Sequence, residues 1–165
     1  MSAEPAGSET GPGETGPFVP DYLLYLLAAA SAAASGAFHE HVKRSGLRPV
    51  EWRVLACLRD ADGQPTTTLA RTTLFEQSRL TRIVDQMAGD GLVRREADPE
   101  DRRRVRVFLT EKGLQVAEPL LEDARRHERA LLDALAPADR RRIKGTLRSI
   151  AEAAEAGAAG AGRLS

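Results

Sequence analysis

The 165-residue sequence predicts a mainly α-helical, α+β fold. Three observations predict it. Apolar residues recur at i, i+3, i+4 and i+7 through most of the chain. One stretch, near 92–110, alternates apolar and polar residues instead, around an Asp-Pro turn. Proline opens helical stretches at Pro20, Pro49 and Pro137, and glycine follows them at Gly46 and Gly91.

Residues 1–17, MSAEPAGSETGPGETGP, are dominated by Gly, Pro, Ser and Glu. Such a segment cannot bury enough surface to offset its ordering entropy, so a disordered tail is expected. The folded region then spans 18–157, and 158–165 is expected to fray. A first helix over 20–45 carries Leu23, Leu26, Leu27, Ala30, Ala34, Ala37, Phe38 and His41 at helical spacing. Leu24 and Tyr25 extend the apolar surface, so this helix needs more than one partner face.

A second helix is expected from Pro49 to about Arg59, with Val50, Val54, Cys57 and Leu58 on one side and Trp52 near them. Asp62-Gly63 reads as a turn. Two short helices follow, near Thr67–Thr73 and Gln77–Asp90. Strands are expected over Leu92–Ala97 and Arg104–Thr110, with Val105, Val107 and Leu109 on one face and Arg104, Arg106 and Phe108 on the other. A long helix from Glu111 to Leu135 contains Pro119, which should bend it by removing a bond to the Gln115 carbonyl. The last helix starts at Pro137 and carries Ile143, Leu147, Ile150 and Ala154 on one face. Two helices, a recognition-type helix and a two-stranded wing make a winged helix-turn-helix over 48–110. The flanking helices, 20–45 and 111–157, are left as a helical dimerisation region.

Lys plus Arg and Asp plus Glu are both 24, so the net charge is zero. That balance neither favours nor excludes a nucleic-acid partner. Every basic residue lies at or beyond Lys43, so a local basic patch remains open. Cys57 is the one cysteine, and no intramolecular disulfide can form. No apolar run reaches the ~18 residues of a membrane span, and the first residues lack the basic start and apolar core of a secretory signal. A cytoplasmic protein with no membrane partner is expected.

The helix QSRLTRIVDQMAGD is the informative one. Leu80, Ile83, Val84 and Met87 must face inward, leaving Gln77, Ser78, Arg79, Thr81, Arg82, Asp85 and Gln86 outside. Arg reads guanine, Gln reads adenine, and Ser or Thr reaches base edges or phosphates. The alternative is a solvated surface helix. The hairpin tip favours DNA. Arg102, Arg103 and Arg104, with Arg94, Arg95 and Arg106, outnumber the nearby carboxylates. Arginines at a tip can enter a narrow minor groove. Asp98 and Asp101 should hold the turn and orient those arginines; alternatively, the arginines only pair with these acids.

The run LTRIVDQMAGDGLVRREADPEDRRRVRVFLTEKG resembles the multiple-antibiotic-resistance regulator (MarR) family of bacterial transcription factors. The matching motifs are Thr81-Arg82, Gly91-Leu92-Val93-Arg94-Arg95, Asp98 to Arg103, and Leu109-Thr110-Glu111-Lys112-Gly113. Glu51-Trp52-Arg53-Val54-Leu55 also resembles the family's second helix. The resemblance implies an obligate homodimer that binds double-stranded DNA at an inverted-repeat operator. It implies that Arg103 enters the minor groove and that Gln77 to Arg82 face the major groove. The sequence departs from the pattern at Thr73-Leu74-Phe75-Glu76, where the turn lacks the usual glycine. Leu74 or Phe75 is expected to pack inward instead.

Members of that family often bind phenolic or aryl acids, and some bind acyl-CoA thioesters, between the dimer helices and the DNA-binding lobe. The resemblance therefore implies a ligand-responsive repressor. Phe38, His41, Trp52 and Arg53 could line such a cleft; alternatively, Phe38 and Trp52 are simply core. His39 and His41 lie two apart on a helix and point to opposite sides, so no metal site is expected, although His127 could approach one of them. Cys57 reads as an inert core thiol rather than a redox sensor. No cofactor and no enzymatic activity are expected, because no nucleophile triad, phosphate loop or isolated carboxylate pair is present. The rival reading is a winged-helix protein-interaction module that has lost DNA binding; Glu76 and Asp85, near the expected groove face by sequence, keep it open.

Overall fold

A computed structural model describes the backbone of residues 17–161 and the side chains of residues 17–157. Residues 1–16 of the expected tail lie outside the described residues. The elements run α1 (Phe18–Asp21), α2 (Leu23–Arg44), α3 (Pro49–Asp60), β1 (Gln64–Pro65), α4 (Thr66–Thr73) and α5 (Gln77–Gly89). They continue with β2 (Val93–Ala97), β3 (Val105–Leu109), α6 (Glu111–Asp133) and α7 (Pro137–Ala161). This is the mainly helical winged helix-turn-helix that the periodicities predict.

The expected first helix is interrupted. Pro20 falls in α1, and Tyr22 is extended, with φ −72° and ψ 119°. The Tyr22 N–H bonds back to the Val19 carbonyl at 3.2 Å, and its own carbonyl accepts from Leu26 at 3.0 Å. Tyr22 thus closes one helix and starts the next. At the other end, α7 continues through Ala161, into the stretch expected to fray. Its last turns are mostly alanine, the best helix former, which offsets the glycines among them. Residues 162–165 lie outside the described residues. Helix α6 runs through Pro119 without a break.

Chain contacts group 1–37 and 38–165 as separate units. In the second, the core is built by the inward faces of α3, α4 and α5 with Val93, Val107, Ala117 and Leu120. Leu80, Ile83, Val84 and Met87 are all buried, as their spacing predicts. Each such side chain contributes roughly 1.5–3 kcal/mol by leaving water.

The two-stranded wing is present and antiparallel, with Val93 opposite Leu109 and Ala97 opposite Val105. A short third strand, β1, joins it through Gln64 opposite Val107 and Pro65 opposite Arg106, giving the order β1-β3-β2. Proline is tolerated there because β1 is an edge strand. The side chain of Asp62 accepts the Leu109 N–H at 2.8 Å, and Arg106 Nε donates to the Gly63 carbonyl at 2.6 Å. The base of the wing is therefore tied to the α3–β1 turn.

Thr110 joins the wing to α6. Its hydroxyl donates to the Gly91 carbonyl at 2.7 Å and accepts the Gly113 N–H at 3.0 Å. A Cβ on Gly113 would lie 2.0 Å from the Leu92 carbonyl oxygen. That crowding explains the Leu-Thr-x-x-Gly spacing: threonine caps the helix, and only glycine fits beneath the strand entry.

Candidate DNA-binding interface and ligand cluster

Helix α5 starts at an unusual cap. Glu76 precedes it, and its carboxylate accepts the backbone N–H groups of Ser78 at 3.1 Å and Arg79 at 3.2 Å. The Ser78 hydroxyl also donates to it. These bonds, the hydroxyl first, hold the Glu76 carboxyl below its usual range. Of the predicted major-groove residues, Ser78 thus spends its hydroxyl proton on the cap. Thr81 donates its hydroxyl to the Gln77 carbonyl at 3.0 Å. Gln77, Arg79 and Arg82 are exposed, and Arg82 has no hydrogen bond or ion pair among the described residues. Asp85 pairs with Arg95 of β2. Glu76 and Asp85, the two carboxylates that kept a protein-interaction module open, are therefore both engaged within the lobe.

The preceding turn resolves the missing glycine. Leu74 takes the left-handed conformation itself, at φ 58°, and is 83% exposed. Phe75 packs inward, against the core, with Arg53 and Arg79 over its ring at 5.2 and 5.0 Å.

The wing tip is built by two aspartates with different jobs. Asp98 is buried, and its carboxylate accepts the Glu100 N–H at 2.9 Å while its own N–H bonds the Arg104 carbonyl at 2.9 Å. It shapes the backbone and grips no arginine. Asp101 holds Arg103 through the backbone N–H and through Nε, and lies 3.5 Å from Arg104 Nε. These contacts, the Arg103 backbone N–H first, hold the Asp101 carboxyl below its usual range. Arg102 is exposed and has no hydrogen bond or ion pair among the described residues. Gln77 and Thr81 of α5 line one open cleft together with Arg95, Arg103 and Arg104 of the wing. Thr66 and Thr67, at the start of α4, also line it. Arg95 was not among the predicted site residues; its signal was the second arginine of the wing entry.

The predicted ligand residues divide. Phe38 meets Trp52 edge-on at 5.5 Å and stacks on His127 at 5.6 Å, and His41 lies 6.1 Å from Phe38. His41 Nε2 is 2.5 Å from Asp123, which also pairs with Arg126. Arg53 does not join this group. Its guanidinium donates to the Thr73 carbonyl at 3.2 Å and covers Phe75. Sequence adjacency to Trp52 is misleading, because neighbours on a helix point about 100° apart. The group offers stacked rings, a histidine and an arginine beside a carboxylate, a set suited to a flat anionic molecule. Among the described residues, no cluster of His, Cys, Asp and Glu could hold a metal. No helix among them is long and apolar enough to cross a membrane. Cys57 is half-buried, and burial raises its thiol above the usual value, with Asp60 adding to the shift.

Comparison with known proteins agrees with this architecture. The family model described as MarR family matches residues 47–105. A MarR family transcriptional regulator from Silicibacter pomeroyi DSS-3 is 55% identical, with 84% of this chain and 98% of that chain covered at a TM-score of 0.76. The transcriptional repressor CouR, solved bound to a 23-mer DNA duplex, is 28% identical over 81% of this chain and 95% of its own, with a TM-score of 0.72. BpsR of Bordetella bronchiseptica, whose DNA binding is regulated by 6-hydroxynicotinic acid, is 25% identical over 79% of this chain and 99% of its own, with a TM-score of 0.71.

Proposed function

The chain belongs to the MarR family of transcriptional regulators, and from that premise we propose that it is a homodimeric, ligand-responsive repressor of a palindromic operator. The observation that carries this reading is the shared cleft. Gln77 and Thr81 of the recognition helix line it with Arg95, Arg103 and Arg104 of the wing. A duplex whose major groove takes α5 presents its next minor groove to the wing tip. Arg103 enters that groove, Arg102 and Arg104 flank it at the phosphates, and Gln77, Arg79, Thr81 and Arg82 meet base edges or the adjacent backbone. Ser78 contributes through its hydroxyl lone pairs, since its proton is engaged at Glu76. That CouR, similar in fold, was solved bound to a DNA duplex supports a duplex as the partner.

The dimer rests on exposed apolar surface. Leu23, Leu24, Tyr25 and Leu26 of the first unit are exposed, and so are Leu131, Leu135 and Leu147 of the second. Water contact costs about 25 cal/mol per Å² of such surface. A two-fold pairing removes it and places two recognition helices on one side of the duplex. The half-sites then lie about one helical turn, roughly 10 bp, apart.

The effector is a small aromatic acid or a related thioester, bound at Phe38, His41 and Trp52 with His127, Asp123 and Arg126 beside them. BpsR, regulated by an aromatic acid, supports the class. The ligand acts by preferring a dimer whose recognition helices are wrongly spaced for DNA.

The test is a titration of duplex binding against salt, using the DNA immediately upstream of the coding region and a random duplex. A steep fall of affinity with salt on both, and tighter binding to the upstream duplex, is expected. A flat response on both would remove DNA from the reading and leave a protein-interaction module.

A further inference from the structure

Two arginines tether α3 to the recognition unit. Arg48 donates through Nε and Nη2 to one oxygen of Glu51 at 2.9 and 2.6 Å, and its backbone N–H reaches the other oxygen at 2.7 Å. The same Nη2 donates to Oε1 of Gln86, on α5, at 2.7 Å. Glu51 is only 6% exposed. A buried carboxylate requires its cation, so Glu51 fixes Arg48, and Arg48 fixes Gln86. Near the other end of α5, Arg53 holds the Thr73 carbonyl and the Phe75 ring, which Arg79 also covers.

The apolar face of α5 packs through contacts that are non-directional and permit small rotations. Hydrogen bonds have preferred angles and do not. We infer that Arg48 and Arg53 are positioning residues for DNA recognition, setting the rotation of α5 about its axis without touching DNA. The inference rests on the DNA-binding reading above. It also gives Gln86 a role other than a solvated or base-reading amide.

Removing Arg48 would strand the buried Glu51 charge and endanger the fold, so the test acts on Gln86 and Arg53. The probes are duplexes that the wild-type protein enriches from a randomised pool, and the unenriched pool itself. Gln86→Leu and Arg53→Met should each weaken binding to the enriched duplex about tenfold, the scale of one charge-assisted bond. Pool binding and melting temperature should hold. Gln86→Glu keeps the acceptor that Arg48 uses and removes the amide donor that DNA would use, so it should keep the wild-type preference. Unchanged preference in both Gln86→Leu and Arg53→Met overturns the inference, as does an equal loss on enriched duplex and pool. A Gln86→Glu variant whose preference for enriched duplex over pool falls as far as that of Gln86→Leu makes Gln86 a direct DNA contact and also overturns it. A wild-type protein that enriches nothing overturns the DNA reading itself.

Discussion

Asp101 grips Arg103 twice, accepting its backbone N–H at 3.1 Å and its Nε at 3.2 Å, while the Arg103 side chain stays 91% exposed. The carboxylate aims the guanidinium without covering it. Arg103→Ala should weaken duplex binding by roughly 1–3 kcal/mol with the circular dichroism spectrum unchanged. Asp101→Ala separates aiming from charge. It removes a negative group from the proposed DNA-binding tip, so simple charge counting predicts tighter binding, whereas loss of the aimed turn predicts weaker binding. Weaker binding is expected.

Acid should loosen the same tip and the start of α5. Glu76 and Asp101 are both held below their ordinary values by hydrogen bonds, so each contributes stability above its unfolded-state value. That stability is lost as pH falls through the lower folded value. The protection of the amides of Gln77 to Arg79 and of Arg103, measured against the rate of an unstructured chain at the same pH, should therefore be constant from neutrality to about pH 5 and fall below about pH 4. In Glu76→Ala the amides of Ser78 and Arg79 should lose that protection at every pH.

Two glycines should respond in opposite directions. Gly113→Ala drives a Cβ against the Leu92 backbone and should cost about 3 kcal/mol or more in a denaturant titration. At Gly89, in the last turn of α5, a Cβ meets nothing within 4 Å. Gly89→Ala should add about 0.5–1 kcal/mol.

Leu74 pays for its left-handed backbone with little packing in return. Leu74→Gly should raise stability by about 0.5–1 kcal/mol, the conformational gain less the entropy of a freer unfolded chain. Leu74→Val, with a branched Cβ at the same φ, should lower it. An unchanged melting temperature in both variants would show that the turn relaxes without strain.

Cys57 should behave as a packed thiol. Burial disfavours its thiolate, so alkylation at neutral pH should be far slower than for a small free thiol, and faster on denaturation. Peroxide should leave duplex binding unchanged.

Periodicity reports burial, and burial is what the sequence reveals here. The four inward residues of α5 are legible because their spacing closes on one helical face. β1 is not, since two residues with a proline among them have no period. The break at Tyr22 is hidden because apolar residues lie on both sides of it. The site is legible by residue type and less so by partner. Arginine at the wing tip and a polar face on α5 announce themselves, yet the partners of Arg53, Gln86 and Asp85 depend on how distant elements meet. Glu76 illustrates the intermediate case. Its position immediately before Gln77 is where a helix cap belongs, but glutamate is an uncommon cap and reads first as a charge.

With β3 flanked on both sides, β2 is the long edge of the sheet, and it carries Arg94, Arg95 and Glu96 in succession. An exposed strand edge is a template on which another chain can add. Charged residues along it make such addition unfavourable in any register. Arg94 pairs with Glu96 and covers Phe108, so even the aromatic ring on that sheet offers an incoming strand little apolar purchase. The wing is thereby guarded against strand-on-strand aggregation.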